Sequence, residues 1–223
     1  MQVDIKIIRS DRRTFSIEIG KDADLIVRAP RTASKAEINK IIDKKSLWIE
    51  KHLSRMVNRK HLHTKKRYVE GEKFYYFGKT YPLTFSFEIS SAIMFDGEKF
   101  IINEDYKDQS ALIFEAWYKT NARDYIRKRT YEIASKLNLQ YEQVKITSAR
   151  KRWGSCSTKK ILNFTWRLLQ ADKKVIDYII VHELAHTVEM NHSSDFWLIV
   201  EKIMPNYQNC EAWLKDHSFL LTW

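Results

Sequence analysis

The sequence has few of the residues that mark several common protein classes. Its 223 residues include two cysteines, Cys156 and Cys210, which are too few for a disulfide framework. Its 5 glycines form no phosphate-binding loop of the P-loop kind. No apolar run approaches the roughly 20 residues of a membrane-spanning helix, and the N-terminus lacks the basic and then apolar blocks of a signal peptide. We therefore expect a globular, cytoplasmic protein that is not embedded in a membrane.

The positive charge of the chain is unevenly distributed. Its formal net charge of +11 favours anionic partners such as nucleic acid or nucleotides. Residues 31–67 hold 12 basic and 3 acidic residues, whereas residues 68–223 hold 21 and 20. Four residues of the basic segment are candidates for contact with nucleic acid or another anion: Lys44, Lys51, Arg55 and Arg59. A solvated helix face would carry similar charges without any such partner.

Local patterns predict an α+β chain of two domains. We expect residues 1–104 to form a β-rich N-terminal domain that begins with a small β-meander and contains a basic helix, and Asp96-Gly97 predicts a hairpin in it. Ser34 and Glu37 form a capping-box pattern, and the helix that they begin should reach about residue 60. Residues 105–223 should form a mainly helical domain with a small sheet, although no Gly/Ser/Pro-rich linker marks the boundary.

The clearest chemical pattern is the HExxH motif His182-Glu183-Leu184-Ala185-His186, in a helix predicted from Asp172 to about Met190. Residues i and i+4 share a helix face, so both imidazoles can bind one Zn²⁺ ion at roughly 2.0–2.1 Å. Glu183 leaves the helix on the adjacent flank, where it can take a proton from a metal-bound water and act as the general base. Histidines buried there without partners would be costly, so we prefer metal binding to a purely structural role.

A catalytic zinc site needs a third protein ligand and one open position. His192 is the natural candidate, but on a continuous helix it would point away from the metal. The predicted helix should therefore end before His192. Asn191 tolerates left-handed geometry at such a corner, and Ser193 or Ser194 can cap the next helix. Glu201 on that next helix is the alternative third ligand.

Several motifs, taken in order, resemble the YgjP-like metallopeptidase-domain family. They are the run RKRWGSCS at 150–157, Trp166-Arg167-Leu168, Asp177-Tyr178 before the HExxH motif, and Asn191-His192-Ser193 followed by Phe196-Trp197. Members of this family are bacterial and archaeal metal-dependent hydrolases, related to SprT-like and WLM zinc peptidase domains. The resemblance implies a zincin-like domain in which His182, His186 and His192 hold one Zn²⁺ ion and Glu183 is catalytic.

Five other residues are candidates for contact with the substrate: Arg152, Trp153, Gly154, Tyr178 and Tyr207. Gly154 would allow close approach of a backbone in a loop beside the cleft, with Cys156 near the metal. Either tyrosine hydroxyl could stabilise an oxyanion, although packing in the core is the commoner role. The strand predicted near residues 161–166 could align an extended peptide by backbone pairing.

These observations leave three functions open. The first, which we prefer, is a zinc-dependent metallopeptidase in which Glu183 activates the attacking water. The second is a metal-dependent phosphohydrolase acting on nucleotides, like a nucleotide pyrophosphatase, which the basic composition favours. The third is a basic nucleic-acid-associated protein with a structural zinc. Because residues 68–223 are nearly balanced in charge, the metal site is inferred from ligand spacing alone.

Overall fold

The computed structural model describes residues 4–20, 24–50, 52–53 and 66–221. The chain divides into two compact units, residues 1–64 and 65–223. The predicted α+β class is confirmed, since the described residues form helices and three small sheets. The boundary expected near residue 105 falls inside the second unit, where the rings of Phe100 and Phe114 pack with centroids 5.0 Å apart.

The first unit contains a sheet and a basic helix. Its elements are β1 (Ile5–Ser10), β2 (Ser16–Ile19), β3 (Leu25–Pro30) and helix α1 (Lys35–Lys44). The predicted meander is wrong, because β3 lies between β1 and β2, parallel to the former and antiparallel to the latter. Alternate residues of β3, Leu25, Val27 and Ala29, are buried with Ile38 of α1, because successive side chains of a strand face opposite ways.

Helix α1 begins with the capping box that the sequence predicts. The Ser34 hydroxyl accepts a hydrogen bond from the Glu37 N–H at 3.2 Å, and the Glu37 carboxylate accepts one from the Ser34 N–H at 2.7 Å. The Ser34 hydroxyl also donates to the Glu37 carboxylate at 2.8 Å, and the two hydrogen bonds that this carboxylate accepts lower the pKa of Glu37. The N–H groups of Ser34 and Glu37 thus have partners, although they are among the four at the start of a helix that no helix carbonyl can accept from.

The single helix expected as far as residue 60 is interrupted. Helix α1 ends at Lys44, Lys45 forms a turn, and helical geometry resumes at residues 46–50 and 52–53. The Lys45 N–H donates to the carbonyls of both Ile41 and Ile42, a bifurcated arrangement that tightens the last turn of a helix. The remainder of the predicted helix lies outside the described residues.

The second unit begins with a four-stranded sheet. Its strands are β4 (Lys73–Tyr76), β5 (Lys79–Ser86), β6 (Ile93–Phe95) and β7 (Phe100–Asn103), in the order β4-β5-β7-β6. The predicted hairpin at Asp96-Gly97 is confirmed, since β6 and β7 are antiparallel. The Asp96 carboxylate accepts hydrogen bonds from the N–H groups of Glu98 and Lys99, both at 2.8 Å, and Gly97 has a φ of +101°. Glycine is suited to that angle because it has no Cβ.

The rest of the second unit is mainly helical. Its elements are α2 (Ser110–Leu137), β8 (Gln143–Thr147), β9 (Gly154–Cys156), β10 (Ile161–Thr165), α3 (Lys173–Ala185), α4 (Ser194–Ile203) and α5 (Tyr207–Asp216), with 3₁₀ helices at Glu104–Gln109, Trp166–Gln170 and Ser218–Leu221. Helix α3 lies in the core, with Val175, Ile176, Ile179 and Ile180 buried. Among the described residues, no helix has the length and apolar character needed to cross a bilayer.

The third sheet corrects one expectation about substrate binding. Its strand order is β8-β10-β9, with β10 parallel to β8 and antiparallel to β9. Both edges of β10, the strand predicted near residues 161–166, are therefore occupied by neighbouring strands. An extended peptide cannot pair with it, and β9 is an edge strand of this sheet.

Candidate metal centre

Helix α3 ends inside the HExxH motif. Its last residue is Ala185, five residues before the end expected near Met190, and His186 is the C-cap. The Thr187 N–H and hydroxyl both donate to the Leu184 carbonyl, at 2.9 and 2.7 Å, so a tighter turn replaces the α-helical pattern. The corner predicted before His192 is therefore present, and it begins earlier than expected.

The rest of the corner is fixed by local hydrogen bonds. The Asn191 N–H donates to Oε1 of Glu189 at 3.1 Å, and Ser193 is the N-cap of α4, where its hydroxyl accepts from the Phe196 N–H at 3.3 Å. Nδ1 of His186 lies 3.1 Å from the Glu189 carbonyl oxygen. When Nδ1 donates this bond, Nε2 of the same ring carries the lone pair that a metal ion requires.

The corner brings His182, His186 and His192 together. One nitrogen of each ring lies within 4.8 Å of those of the other two. Nε2 of His182 is 3.0 Å from Nε2 of His192. Two nitrogens bound to one tetrahedral Zn²⁺ at roughly 2.0–2.1 Å would be about 3.3 Å apart, so small adjustments would accommodate such an ion. Glu201, the alternative third ligand, is exposed on α4 and is not part of this group.

The electrostatics of the three rings suit a cation. Burial, together with the neighbouring His186 and His192, lowers the pKa of His182 to about 3, and burial lowers that of His186. Both shifts favour the neutral form of the ring, which is the form that binds metals. Nδ1 of His182 and Oε2 of Glu183 are buried and have no hydrogen-bond partner among the described residues. A divalent cation near Glu183 would offset part of the cost of burying its carboxylate.

Glu183 is buried, with only 5% of its surface exposed. Burial raises its pKa to about 8, and Arg152 acts in the opposite direction. A Cβ atom placed on Gly154 would lie 2.5 Å from Oε1 of Glu183, so strand β9 and helix α3 meet at these two residues. The close backbone approach foreseen at Gly154 is thus made to the carboxylate of Glu183.

The loop before β9 lies beside the same carboxylate. Trp153 is buried and Arg152 is exposed. Both line a cavity of about 190 Å³ together with Gly154 and neighbouring polar residues of the third sheet. Cys156, at the end of β9, is half-buried, and burial and the charge of Glu183 raise the pKa of its thiol.

Aromatic rings line the side of the triad formed by α4 and α5. The His186 ring stacks on Phe196 with centroids 4.4 Å apart, and that of His192 stacks on Trp197 at 5.8 Å. Tyr207 lies between Trp197 and Tyr178, with interplanar angles of 15° to each. The stack therefore continues from the three clustered histidines to the first turn of α5.

The two tyrosines predicted near the substrate differ in their hydrogen bonding. The buried Tyr178 hydroxyl donates to Oε1 of Glu211 at 3.1 Å. Tyr207 is half-buried, and its hydroxyl has no hydrogen bond to any described residue. The sequence offered no signal for Glu211 or for the Glu189 carbonyl that holds His186, because both contacts depend on how the chain folds back after α3.

Of the four candidate anion-binding residues, Lys44 alone lies in the part of the chain that the structure describes. Lys44 is exposed in the last turn of α1, in the first unit. Lys51, Arg55 and Arg59 lie outside the described residues, so their assignment stays a prediction.

Comparison with known proteins points to one family. The model of the YgjP-like metallopeptidase domain matches residues 13–217. Among solved structures, the crystal structure of the metallopeptidase zymogen of Pyrococcus abyssi abylysin is 25% identical, with a TM-score of 0.37, over 40% of this chain and 90% of that chain. A search of curated proteins gives no match. The family match gives no support to a nucleotide substrate or a nucleic-acid partner.

Proposed function

The chain belongs to the YgjP-like metallopeptidase-domain family, and from this we propose that it is a zinc-dependent, zincin-like peptidase. The observation that carries the proposal is the convergence of His182, His186 and His192 beside the buried carboxylate of Glu183. Three imidazoles are a ligand set typical of catalytic zinc, because they leave a coordination position open. We assign one ion to the site.

The three histidines that would hold the ion differ in how they are placed. His182 and His186 are fixed by the end of α3 and, for His186, by the Glu189 carbonyl. His192 is exposed, so an incoming substrate can reach the triad on the side of this residue. When bound there, Zn²⁺ polarises a carbonyl and lowers the pKa of a coordinated water.

Glu183 is the proposed general base. Its burial against Gly154 raises its proton affinity above that of an ordinary carboxylate, while the positive charges of Arg152 and of a bound cation reduce it. A base adjusted in this way can take a proton from the attacking water and deliver it to the leaving amine nitrogen. Oε2, which has no hydrogen-bond partner among the described residues, is the oxygen free to accept that proton.

An extended peptide is proposed to pair with the exposed edge of β9. The Trp153 carbonyl accepts from the Thr165 N–H, and the Ser157 N–H donates to the Ile161 carbonyl, both at 3.0 Å. Because the hydrogen bonds of an antiparallel pair alternate, the backbone groups of Gly154 and Cys156 are directed away from β10. A peptide paired with them would pass beside Glu183, which Gly154 contacts.

Tyr207 is the proposed donor to the oxyanion. Its hydroxyl has no hydrogen bond to a described residue, and its ring belongs to the stack that reaches His192 through Trp197. Tyr178 is less suited to this role, since its hydroxyl already donates to Glu211. A hydroxyl that bonds the substrate oxygen more strongly as charge develops on it lowers the barrier to hydrolysis.

The test combines metal content with hydrolysis. Purified protein would be measured for bound zinc and incubated with an unfolded protein such as reduced, carboxymethylated albumin, before and after removal of metal by a chelator. We expect Glu183→Gln to keep its zinc and lose cleavage, and the matched variant Glu201→Gln, at an exposed position of α4, to keep both. Full zinc occupancy with no cleavage of any unfolded protein would contradict the proposal.

A further inference from the structure

Three consecutive cations precede strand β9, and none of them forms an ion pair with a described residue. Arg150, Lys151 and Arg152 are all exposed, and none has a hydrogen bond with any described residue. Arg129 of the same unit, by contrast, forms two hydrogen bonds with the carboxylate of Asp177, at 2.7 and 2.8 Å. The guanidinium of Arg152 therefore keeps all its donors for a ligand.

Only one of the three, Arg152, lines the cavity of about 190 Å³ beside β9. The other walls of this cavity include Ser155, Asn163, Thr147 and Thr165, and no acidic residue is among the lining residues. Ser155 is paired with Asn163 across the sheet, and Thr165 with Thr147, so these side chains share one face. The cavity thus combines one positive charge with neutral polar groups.

Some of these polar groups are already engaged. The Thr165 hydroxyl donates to the Ala149 carbonyl at 2.8 Å, and the Thr147 hydroxyl donates to the Phe164 carbonyl at 3.3 Å. The Asn163 amide makes only long contacts, of 3.4 Å to the Ser155 carbonyl, 3.5 Å to the Ser155 hydroxyl and 3.5 Å to the Ile161 carbonyl. The Ser155 hydroxyl and the Asn163 amide can therefore turn towards a ligand that accepts hydrogen bonds.

The position of the cavity relates it to the substrate. Gly154 faces Glu183 on one side of β9, and Ser155 faces the cavity on the other, because neighbouring residues of a strand point to opposite faces. A peptide paired with the open edge of β9 would likewise send alternate side chains towards the two faces. A residue next to the scissile bond would then reach the cavity and Arg152.

We propose that Arg152, with Ser155 and Asn163, binds a carboxylate of the peptide close to the scissile bond. The inference rests on the proposed peptidase function and adds a substrate preference to it. A planar guanidinium binds a carboxylate through two parallel hydrogen bonds, and no acidic residue lines the cavity. Glu183, whose pKa the charge of Arg152 lowers, contacts Gly154 on the other face of β9 and forms no ion pair with Arg152. The carboxylate can belong to an acidic side chain or to the C-terminus of a short peptide, and both offer the same chemistry.

The test uses matched peptides and matched variants. One peptide pair differs only by Glu or Gln within two residues of the cleaved bond, and a second pair differs only by a free or amidated C-terminus. We expect the zinc-loaded protein to favour the acid in one pair by about 10-fold to 100-fold in kcat/KM, mainly through KM. Arg152→Gln should abolish this preference, and Lys151→Gln, which removes the same charge beside the cavity, should keep it.

The outcomes distinguish a failure of the proposed role of Arg152 from a failure of the proposed peptidase function. Cleavage without any preference, or an equal loss in both variants, overturns the role of Arg152 and leaves the peptidase function standing. Binding of the labelled peptides to Glu183→Gln, with and without Arg152→Gln, is measured in parallel by fluorescence polarisation. Arg152-dependent binding without cleavage by the wild type overturns the peptidase function instead, and absence of binding and cleavage overturns both.

Discussion

Gly154 of β9 lies directly against the side chain of Glu183. A Cβ atom at position 154 would be 2.5 Å from Oε1, 2.8 Å from Cγ and 2.9 Å from Cδ of the glutamate. Real Cβ atoms do not approach other heavy atoms so closely, so any larger residue there must displace the carboxylate. The glycine in the loop RKRWGSCS is therefore tied to the position of the proposed base.

Gly154→Ala should lower peptide hydrolysis by about 100-fold, because displacing a catalytic group by about 1 Å costs on that order. Zinc affinity should change little, since the three histidines are not touched. Steady-state kinetics and metal titration of the same preparation check both expectations. Ser155→Ala, whose side chain faces the other side of β9, is the control for folding stability alone and is compared with Gly154→Ala by urea unfolding. Activity equal to wild type in Gly154→Ala would contradict the role of this contact.

His192→Ala should weaken zinc binding by at least about 100-fold. This loss is larger than the loss that follows from mutating most residues that only hydrogen-bond to a metal ligand. The reason is that His182 and His186 alone leave a tetrahedral ion with two protein ligands. Competition with a chromophoric chelator measures the affinity. His217→Ala is the control, because its ring stacks on Trp213 at 4.0 Å, away from the triad, and should leave zinc binding unchanged. Unchanged affinity in His192→Ala would remove His192 from the ligand set.

The clustering of His182, His186 and His192 was predictable because its geometry is largely local. The i and i+4 spacing of His182 and His186 fixes a shared helix face, and an unbroken helix would have carried His192 away from it. The position of the helix end was missed, because no glycine or proline marks it and the Thr187 hydroxyl helps to form the tight turn. The break of the first helix at Lys45 was missed for the same lack of a local signal.

Strand pairing was less predictable than helix position. The alternating patterns indicate strands, but they do not show that β3 lies between β1 and β2, or that β10 lies between β8 and β9. Those pairings depend on contacts between residues distant in sequence. The open edge of β9, and with it the cavity beside Arg152, could therefore be found only in the folded chain.

Tyr207→Phe should lower kcat by about 10-fold or more while leaving KM nearly unchanged, because a hydrogen bond made mainly in the transition state is lost. Tyr178→Phe is the matched comparison, since it removes the hydrogen bond to Glu211 from the neighbouring ring of the same stack. It should lower stability by about 1 kcal/mol and change kcat only slightly. A larger fall of kcat in Tyr178→Phe than in Tyr207→Phe would reverse the assignment.

Gly78→Ala should destabilise the second unit more than Gly71→Ala does. Both glycines have left-handed backbones, with φ of +80° and +75°, so alanine costs about 1–2 kcal/mol at either position. At Gly71 a Cβ would meet no atom within 4 Å, whereas at Gly78 it would lie 3.0 Å from the Cα of Asp172, the N-cap of α3. The Gly78 N–H also donates to the Gln170 carbonyl at 3.1 Å, which fixes this approach.

The additional cost of Gly78→Ala should be about 1–3 kcal/mol, as for other insertions into packed sites, and urea unfolding of the two variants measures it. Equal midpoints would show that the turn shifts away from α3 without cost, and that the helix carrying the HExxH motif does not depend on this contact.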